Sequence, residues 1–297
     1  MELIGQAEVK TREKFISAGA GRIYFRSVRP NGVAWARIGL LHGYGDHCGR
    51  YEHFYRWMAE RGVGCCAMDF RGHGRSEGRR GFVSRWDEFL DDLAVFLAQP
   101  EMNSREGPPV FLVAHSHGGL VAAMAGIRGL SGMAGVIFSC PYFKSGVPVP
   151  WWKGVLSRVA NRCWPSITVL NGLRPEWLCG DEEMIEDSKR DVLGHRIATP
   201  RWFETMQVAQ GEVMERAGEF KLPMLMLIGK KDPIAVAEVG ELFYSRAGSV
   251  EKKILVYPEM LHEVLREKER ILVFEEILRW MRERTSNIEH RTSNVQS

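Results

Sequence analysis

Residues 110 to 129 read VFLVAHSHGGLVAAMAGIRG, and the turn at their centre governs how the rest of the chain can be arranged. Val110 to Val113 are a short continuous apolar run, as expected of a strand covered on both faces in a parallel sheet. Ser116 therefore stands at the carboxyl end of a strand, where a helix must begin at once. In an open parallel sheet chemistry gathers along that rim. A sharp strand-to-helix turn holds a nucleophile's hydroxyl clear of the backbone and needs small neighbours, which Ala114 and Gly118 supply. The helix start also aims free N–H groups and the positive end of its dipole at whatever binds Ser116, which suits an oxyanion. A serine here is also a common N-cap, so the motif alone leaves both readings open. His115 and His117 form an H-x-H pair, but residues 118–129 offer no further acidic or histidine ligand, so no metal is expected. Both histidines are read as packing and pocket-lining side chains, and His117 matters chiefly for its backbone N–H.

Further apolar runs lie on either side: ARIGLLHG, GVGCCAMD, GMAGVIFSC, PMLMLIGK and KKILVYP. Helical patterns separate them. Phe54, Trp57 and Met58 share one face, as do Trp86, Phe89, Leu90, Leu93 and Phe96, with Ser84 and Asp87 placed as a capping box. Ile271, Phe274, Ile277, Leu278 and Met281 form a third stripe. REKFISA and RIYFRSV, joined through Gly19-Ala20-Gly21, read as an opening β-hairpin. The whole is an α/β chain with a mostly parallel, eight-stranded sheet, helices on both faces and right-handed crossovers. The expected organisation is a first core part over 1–141, an inserted helical cap over 142–220, a second core part over 221–285, and a tail over 286–297. That tail repeats Arg-Thr-Ser-Asn with almost no apolar residues, and disorder is expected of it.

Composition narrows the class. The 297 residues are 45% hydrophobic and 26% charged, with 40 Lys and Arg against 37 Asp and Glu, as in an ordinary soluble domain. The cations are scattered, so no nucleic-acid footprint stands out. Six cysteines, two of them adjacent at Cys65 and Cys66, read as buried thiols of a reducing compartment. The amino terminus lacks the apolar stretch of a signal peptide, and no window is long and apolar enough to span a bilayer. A cytoplasmic protein is expected, peripheral at the membrane through its cap.

A serine hydroxyl needs a histidine base, and that histidine needs a carboxylate to fix its tautomer. Asp232 follows the strand PMLMLIGK, and His262 follows KKILVYP at the head of the last helix, so both reach the rim that carries Ser116. The order Ser, Asp, His is that of α/β-hydrolases. Taken singly, Asp232 could be an N-cap and His262 a helix-start residue. Upstream, His42-Gly43-Tyr44-Gly45 ends another strand, and the Tyr44 N–H can complement that of His117 as an oxyanion hole. This chemistry calls for no cofactor.

HGYGDHCGRYEHF (His42 to Phe54), DFRGHGRSEGRRG (Asp69 to Gly81), AHSHGG (Ala114 to Gly119) and the loops GKKDPI and YPEMLHEVLRE together resemble the monoacylglycerol lipase and lysophospholipase branch of the serine α/β-hydrolases, over about residues 10 to 285. The resemblance implies Ser116 as nucleophile, His262 as base, Asp232 as orienting acid, and Tyr44 and His117 as oxyanion donors. It makes Asp69 and His73 structural, with Asp69 as the alternative acid. Two positions depart from the pattern: Ala114 stands where the family mostly has Gly, and His117 where it usually has Met, which brings a polar imidazole toward the pocket.

In the cap, Trp151, Trp152, Val155, Leu156 and Val159 form an apolar stripe. It can roof an acyl pocket, pack as cap core, or rest on a bilayer with Lys153, Arg158 and Arg162 toward lipid phosphates. Trp151, Trp152 and Tyr142 are the candidate substrate-binding residues. The expected reaction is hydrolysis of a single-chain lipid ester through an acyl-serine. Cleavage of a peptide, thioester or carbon-carbon bond, and a non-catalytic ligand-binding protein on the same fold, are the alternatives.

Overall fold

A computed structural model describes residues 9–19, 21–103 and 107–295. The opening hairpin pairs β1 (Lys10–Ala18) with β2 (Gly21–Arg29), antiparallel and in register from Ala18↔Gly21 to Lys10↔Arg29. Its turn begins at Gly19 with a φ of +57°, a conformation glycine adopts without a Cβ clash.

Six further strands complete the sheet: β3 (Ala36–Leu41), β4 (Val63–Met68), β5 (Val110–His115), β6 (Gly135–Ser139), β7 (Met224–Gly229) and β8 (Lys252–Tyr257). Their order is β1-β2-β4-β3-β5-β6-β7-β8, antiparallel at β1, β2 and β4 and parallel from there on. Every residue of β4, β5, β6 and β7 is buried, as a strand covered on both faces requires. KKILVYP differs, since β8 is the edge strand and its residues stay partly exposed.

Helices cover both faces. Against one lie α1 (Glu52–Ala59) and α8 (Arg270–Val295), through Phe54, Met58, Phe274, Ile277 and Met281. The other carries α2 (Asp87–Leu97) and α3 (His117–Ile127), through Phe89, Leu93, Phe96, Leu120 and Val121. Between β6 and β7 come α4 (Trp151–Cys163), α5 (Glu182–Arg190) and α6 (Pro200–Glu215). Neither α4 nor α5 has a buried residue, whereas α6 packs Trp202, Met206, Ala209 and Val213 into the α2–α3 face. Helix α7 (Ala237–Arg246) follows β7.

Three sequence expectations change. Helix α2 starts after Trp86 without any side-chain cap, because the Asp87 carboxylate accepts from Arg128 (2.6 Å) instead of reaching back. Ile271 is 44% exposed, and Val273 takes the buried place in the last stripe. The segment 286–295, where low apolar content suggested disorder, continues α8. A helix nucleated on Phe274, Ile277 and Met281 propagates at little cost per residue, and Ile288 packs back on the core. Residues 296–297, and the first eight residues read for a leader, lie outside the described residues. No helix among the described residues is long and apolar enough to cross a membrane. All six cysteines are free thiols, buried except Cys163.

Candidate active site

The turn between β5 and α3 is forced by its surroundings. Ser116 has φ +51°, a left-handed conformation that is costly for a residue with a side chain. Its N–H donates to the Ser139 carbonyl (2.9 Å), and its carbonyl accepts from the Tyr142 N–H (3.0 Å), which locks the strained unit from both sides. Gly118 is required by proximity: a Cβ there would lie 2.5 Å from the Leu41 carbonyl oxygen.

The side chains predicted to meet do so. Ser116 Oγ lies 2.8 Å from His262 Nε2, and His262 Nδ1 lies 2.6 Å from Asp232 Oδ2. Asp232 Oδ1 accepts the backbone N–H groups of Ile234 (2.7 Å) and Ala235 (2.9 Å), so the carboxylate is fixed with Oδ2 toward the imidazole. Burial disfavours a charged His262, but the Asp232 carboxylate, helped by Glu263 and Asp46, outweighs it and raises the imidazole above its ordinary range. Asp69 has other duties: it accepts from the N–H groups of Cys48 (2.8 Å) and Arg75 (2.8 Å).

The Tyr44 loop packs tightly on this turn. A Cβ on Gly43 would sit 3.0 Å from the His115 ring, and Gly45, at φ +73°, lies against the His195 carbonyl. His42 pins the loop, its Nε2 accepting from the Phe70 N–H (3.0 Å). Burial keeps His42 below its ordinary pKa and hence neutral, as that acceptor role demands. The His117 N–H, in the first turn of α3, has no intrahelical acceptor.

The His117 ring does not line the cavity. It is fully buried among Phe70, Trp86, Phe89 and Tyr44, with both ring nitrogens lacking a hydrogen-bond partner. Burial pushes its pKa down to about 3. His115, in contrast, does line the cavity; its Nδ1 lies 3.0 Å from the Ser139 carbonyl oxygen, and burial followed by the nearby His262 pushes its pKa down to about 4.

Above Ser116 opens a cavity of about 1000 Å³. Tyr142 and Trp152 line it with Leu156, Val159, Trp164 and Phe203. Trp151, one position along α4, is 81% exposed and is not among the lining residues, since adjacent helical residues point about 100° apart. The α4 stripe is therefore not cap core.

One polar group went unread in the sequence. Arg50 donates to Asp46 Oδ1 (3.2 Å) and Glu263 Oε2 (3.2 Å), beside His262 on the cavity wall. Burial opposes the Asp46 charge, yet Arg50 holds its carboxyl well below the usual range. The i,i+4 spacing of Asp46 and Arg50 was the available signal. Nothing local points to Glu263. As for metals, Cys140 Sγ and ligand atoms of Asp232 and His262 lie within 4.8 Å of one another. These atoms are already engaged, Sγ accepting from the Gly229 N–H (3.3 Å) and Oδ2 bonded to the imidazole.

Comparison with known proteins agrees with this fold. The family model described as serine aminopeptidase, S33, matches residues 34–269. A monoacylglycerol lipase of Mycolicibacterium smegmatis is 27% identical over 276 residues, covering 93% of this chain and 98% of its own. An uncharacterized abhydrolase domain-containing protein of Dictyostelium discoideum is 29% identical over 88% of this chain, which spans only 28% of that larger protein. Among solved structures, a soluble variant of Saccharomyces cerevisiae monoglyceride lipase superposes with a TM-score of 0.84 at 18% identity, over 94% of this chain and 97% of that one.

Proposed function

Because the chain belongs to the serine aminopeptidase, S33, family of hydrolases, we propose that it is a carboxylic ester hydrolase acting on single-chain lipid esters, monoacylglycerol or lysophospholipid, through an acyl-serine. The carrying observation is the hydroxyl–imidazole–carboxylate chain at the floor of a largely apolar cavity. In this reading His262 Nε2 takes the Ser116 proton as Oγ attacks the ester carbon. The resulting oxyanion is held by the Tyr44 and His117 N–H groups, each worth on the order of 100- to 1,000-fold in rate. His262 then gives its proton to the departing alcohol. Water, deprotonated by the same imidazole, releases the fatty acid from Ser116. The apolar wall of Trp152, Leu156 and Val159 suits one acyl chain.

The reading extends to a lipid surface. Trp151 (81% exposed), Trp164 (69%) and Leu170 (81%) project from the cap near Lys153, Arg158 and Arg162, a mixture that suits a water–lipid interface. The test is a matched series of monoacylglycerols and lysophospholipids, with Ser116→Ala as blank and a fluorophosphonate probe reporting the live serine. Hydrolysis of either class by wild type alone is expected. An unlabelled, folded Ser116 with no turnover would point to a binding protein instead, and a preference for peptides or thioesters would replace the substrate class.

A further inference from the structure

At the rim of the sheet opposite Ser116 lies a second cleft, of about 550 Å³, at the starts of β3 and β4 and along the first hairpin. Arg37 is the second residue of β3, and the Tyr44 loop follows the other end of that strand, so the two sites are separated by most of a strand, roughly 15 Å at 3.3 Å per residue.

Four cations converge on it from three strands: Arg12 and Lys14 of β1, Arg29 of β2 and Arg37 of β3. Register explains the convergence, since Lys10↔Arg29 and Arg12↔Ser27 are direct cross-strand pairs and side chains two apart share a face. Among the described residues, one carboxylate answers them. Glu101 bonds Lys14 (3.2 Å) and reaches Arg29 (3.9 Å). Among the described residues, neither Arg12 nor Arg37 has a carboxylate partner; Arg37 donates to the Asn103 carbonyl (3.1 Å). A row of cations on an edge strand ordinarily guards against strand addition. That role leaves one lining group unexplained: Ser27 is 1% exposed, and its Oγ has no hydrogen-bond partner. A buried hydroxyl left without a partner costs stability, and a ligand oxygen reaching it would offset that cost.

We propose that this cleft binds a phosphate group, with the Arg12 and Arg37 guanidiniums as its charged donors and the Ser27 hydroxyl as its buried one. Guanidinium forks match phosphate oxygens in pairs, and an unpaired buried hydroxyl adds a fixed direction. The group comes either from a free phosphate or from the headgroup of an anionic lipid, and the experiment separates the two.

Inorganic phosphate is titrated into the full-length protein by calorimetry at constant ionic strength, with chloride as control. In parallel, sedimentation is measured with phosphatidylcholine vesicles with and without phosphatidic acid. Saturable binding in either arm is expected, weakened at least ~10-fold in Arg12→Gln/Arg37→Gln and also reduced in Ser27→Ala. Arg12 is exposed, so Arg12→Gln alone serves if the double variant does not fold. Binding of free phosphate assigns a soluble ligand; binding only to phosphatidic acid vesicles assigns a lipid. No binding in either arm overturns the proposal, as does binding that these variants leave unchanged. Because both arginines lie on the far rim, ester hydrolysis is a separate readout, and its loss or survival does not bear on this site.

Discussion

Replacing His117 with methionine tests how a buried imidazole without partners affects the fold. The wild-type ring has two unpaired nitrogens in an aromatic cage. Leaving a buried polar group unmatched costs about 1–3 kcal/mol, so His117→Met, similar in volume, should raise stability by that order at neutral pH. A second effect of similar size depends on pH. His117 is held at about 3 in the folded chain, whereas an unfolded histidine titrates near 6.5. Below 6.5 the unfolded state takes up a proton that the folded state refuses, so stability is present above that pH and is lost as pH falls toward 3. At pH 5, about 1.5 pH units down, the loss is about 2 kcal/mol from this group alone. His42, His73 and His115 are depressed in the same sense and remain in the variant, so the informative quantity is a difference of differences. Urea unfolding of both proteins at pH 7.5 and pH 5 measures it. The wild type should lose about 2 kcal/mol more than His117→Met between the two pH values. Equal losses would refute the assignment of acid sensitivity to the caged ring.

Three further outcomes follow from the same geometry. Asp232→Asn should lower kcat by up to ~10⁴-fold. It should also move the acid limb of kcat/KM to lower pH. In the wild type that limb is expected above the ordinary histidine range, since burial opposes the imidazolium but the Asp232 carboxylate more than compensates; a pH–rate profile with an unshifted limb would exclude that coupling. Gly118→Ala places a Cβ 2.5 Å from the Leu41 carbonyl and 2.8 Å from that of His42, both backbone. The helix start must then shift, with a stability loss of about 1–3 kcal/mol by thermal unfolding and a fall in Ser116 acylation rate; an unchanged protein would show that the close approach is not needed. Arg50→Met removes the cation shared by the Asp46 and Glu263 carboxylates, both side chains only 5% exposed, leaving Asp46 its bond from Tyr51 (2.7 Å) and Glu263 its pair with Arg266 (3.7 Å), and should cost about 3 kcal/mol in denaturant unfolding at pH 7. A change under 1 kcal/mol would mean that water reaches them.

The mostly parallel sheet and the meeting of Ser116, Asp232 and His262 were legible because each depends on local signals. Apolar runs mark the strands, and the loops after β5, β7 and β8 open on one rim. What could not be read depends on rotation and on distant partners. The His117 ring turns into an aromatic cage beside the left-handed Ser116, and no residue pattern reports either. Trp151 and Trp152 differ only in helical phase, and that phase is set by how α4 sits on α6. The Arg50–Glu263 pair spans 213 positions. Ser84 and Asp87 had the spacing of a cap, but Arg128 on a neighbouring helix claimed the carboxylate.

The roof over the cavity is fastened unevenly. On the side of α5 and the segments flanking it, Asp191 pairs with His47 (3.0 Å), the His195 N–H reaches the Gly45 carbonyl (2.9 Å), Tyr44 Oη donates to the Ile197 carbonyl (2.9 Å), and the Glu263 N–H donates to that of Leu178 (2.6 Å). Each stitch ends on the Tyr44 loop or beside His262, so that half of the roof is part of the reaction frame. Helix α4 has no buried side chain, and it is moored near its end by Asn161 to Arg201 (2.6 Å). The roof is thus two separate pieces of carpentry, one joined to the groups that do the chemistry and the other tied through α6.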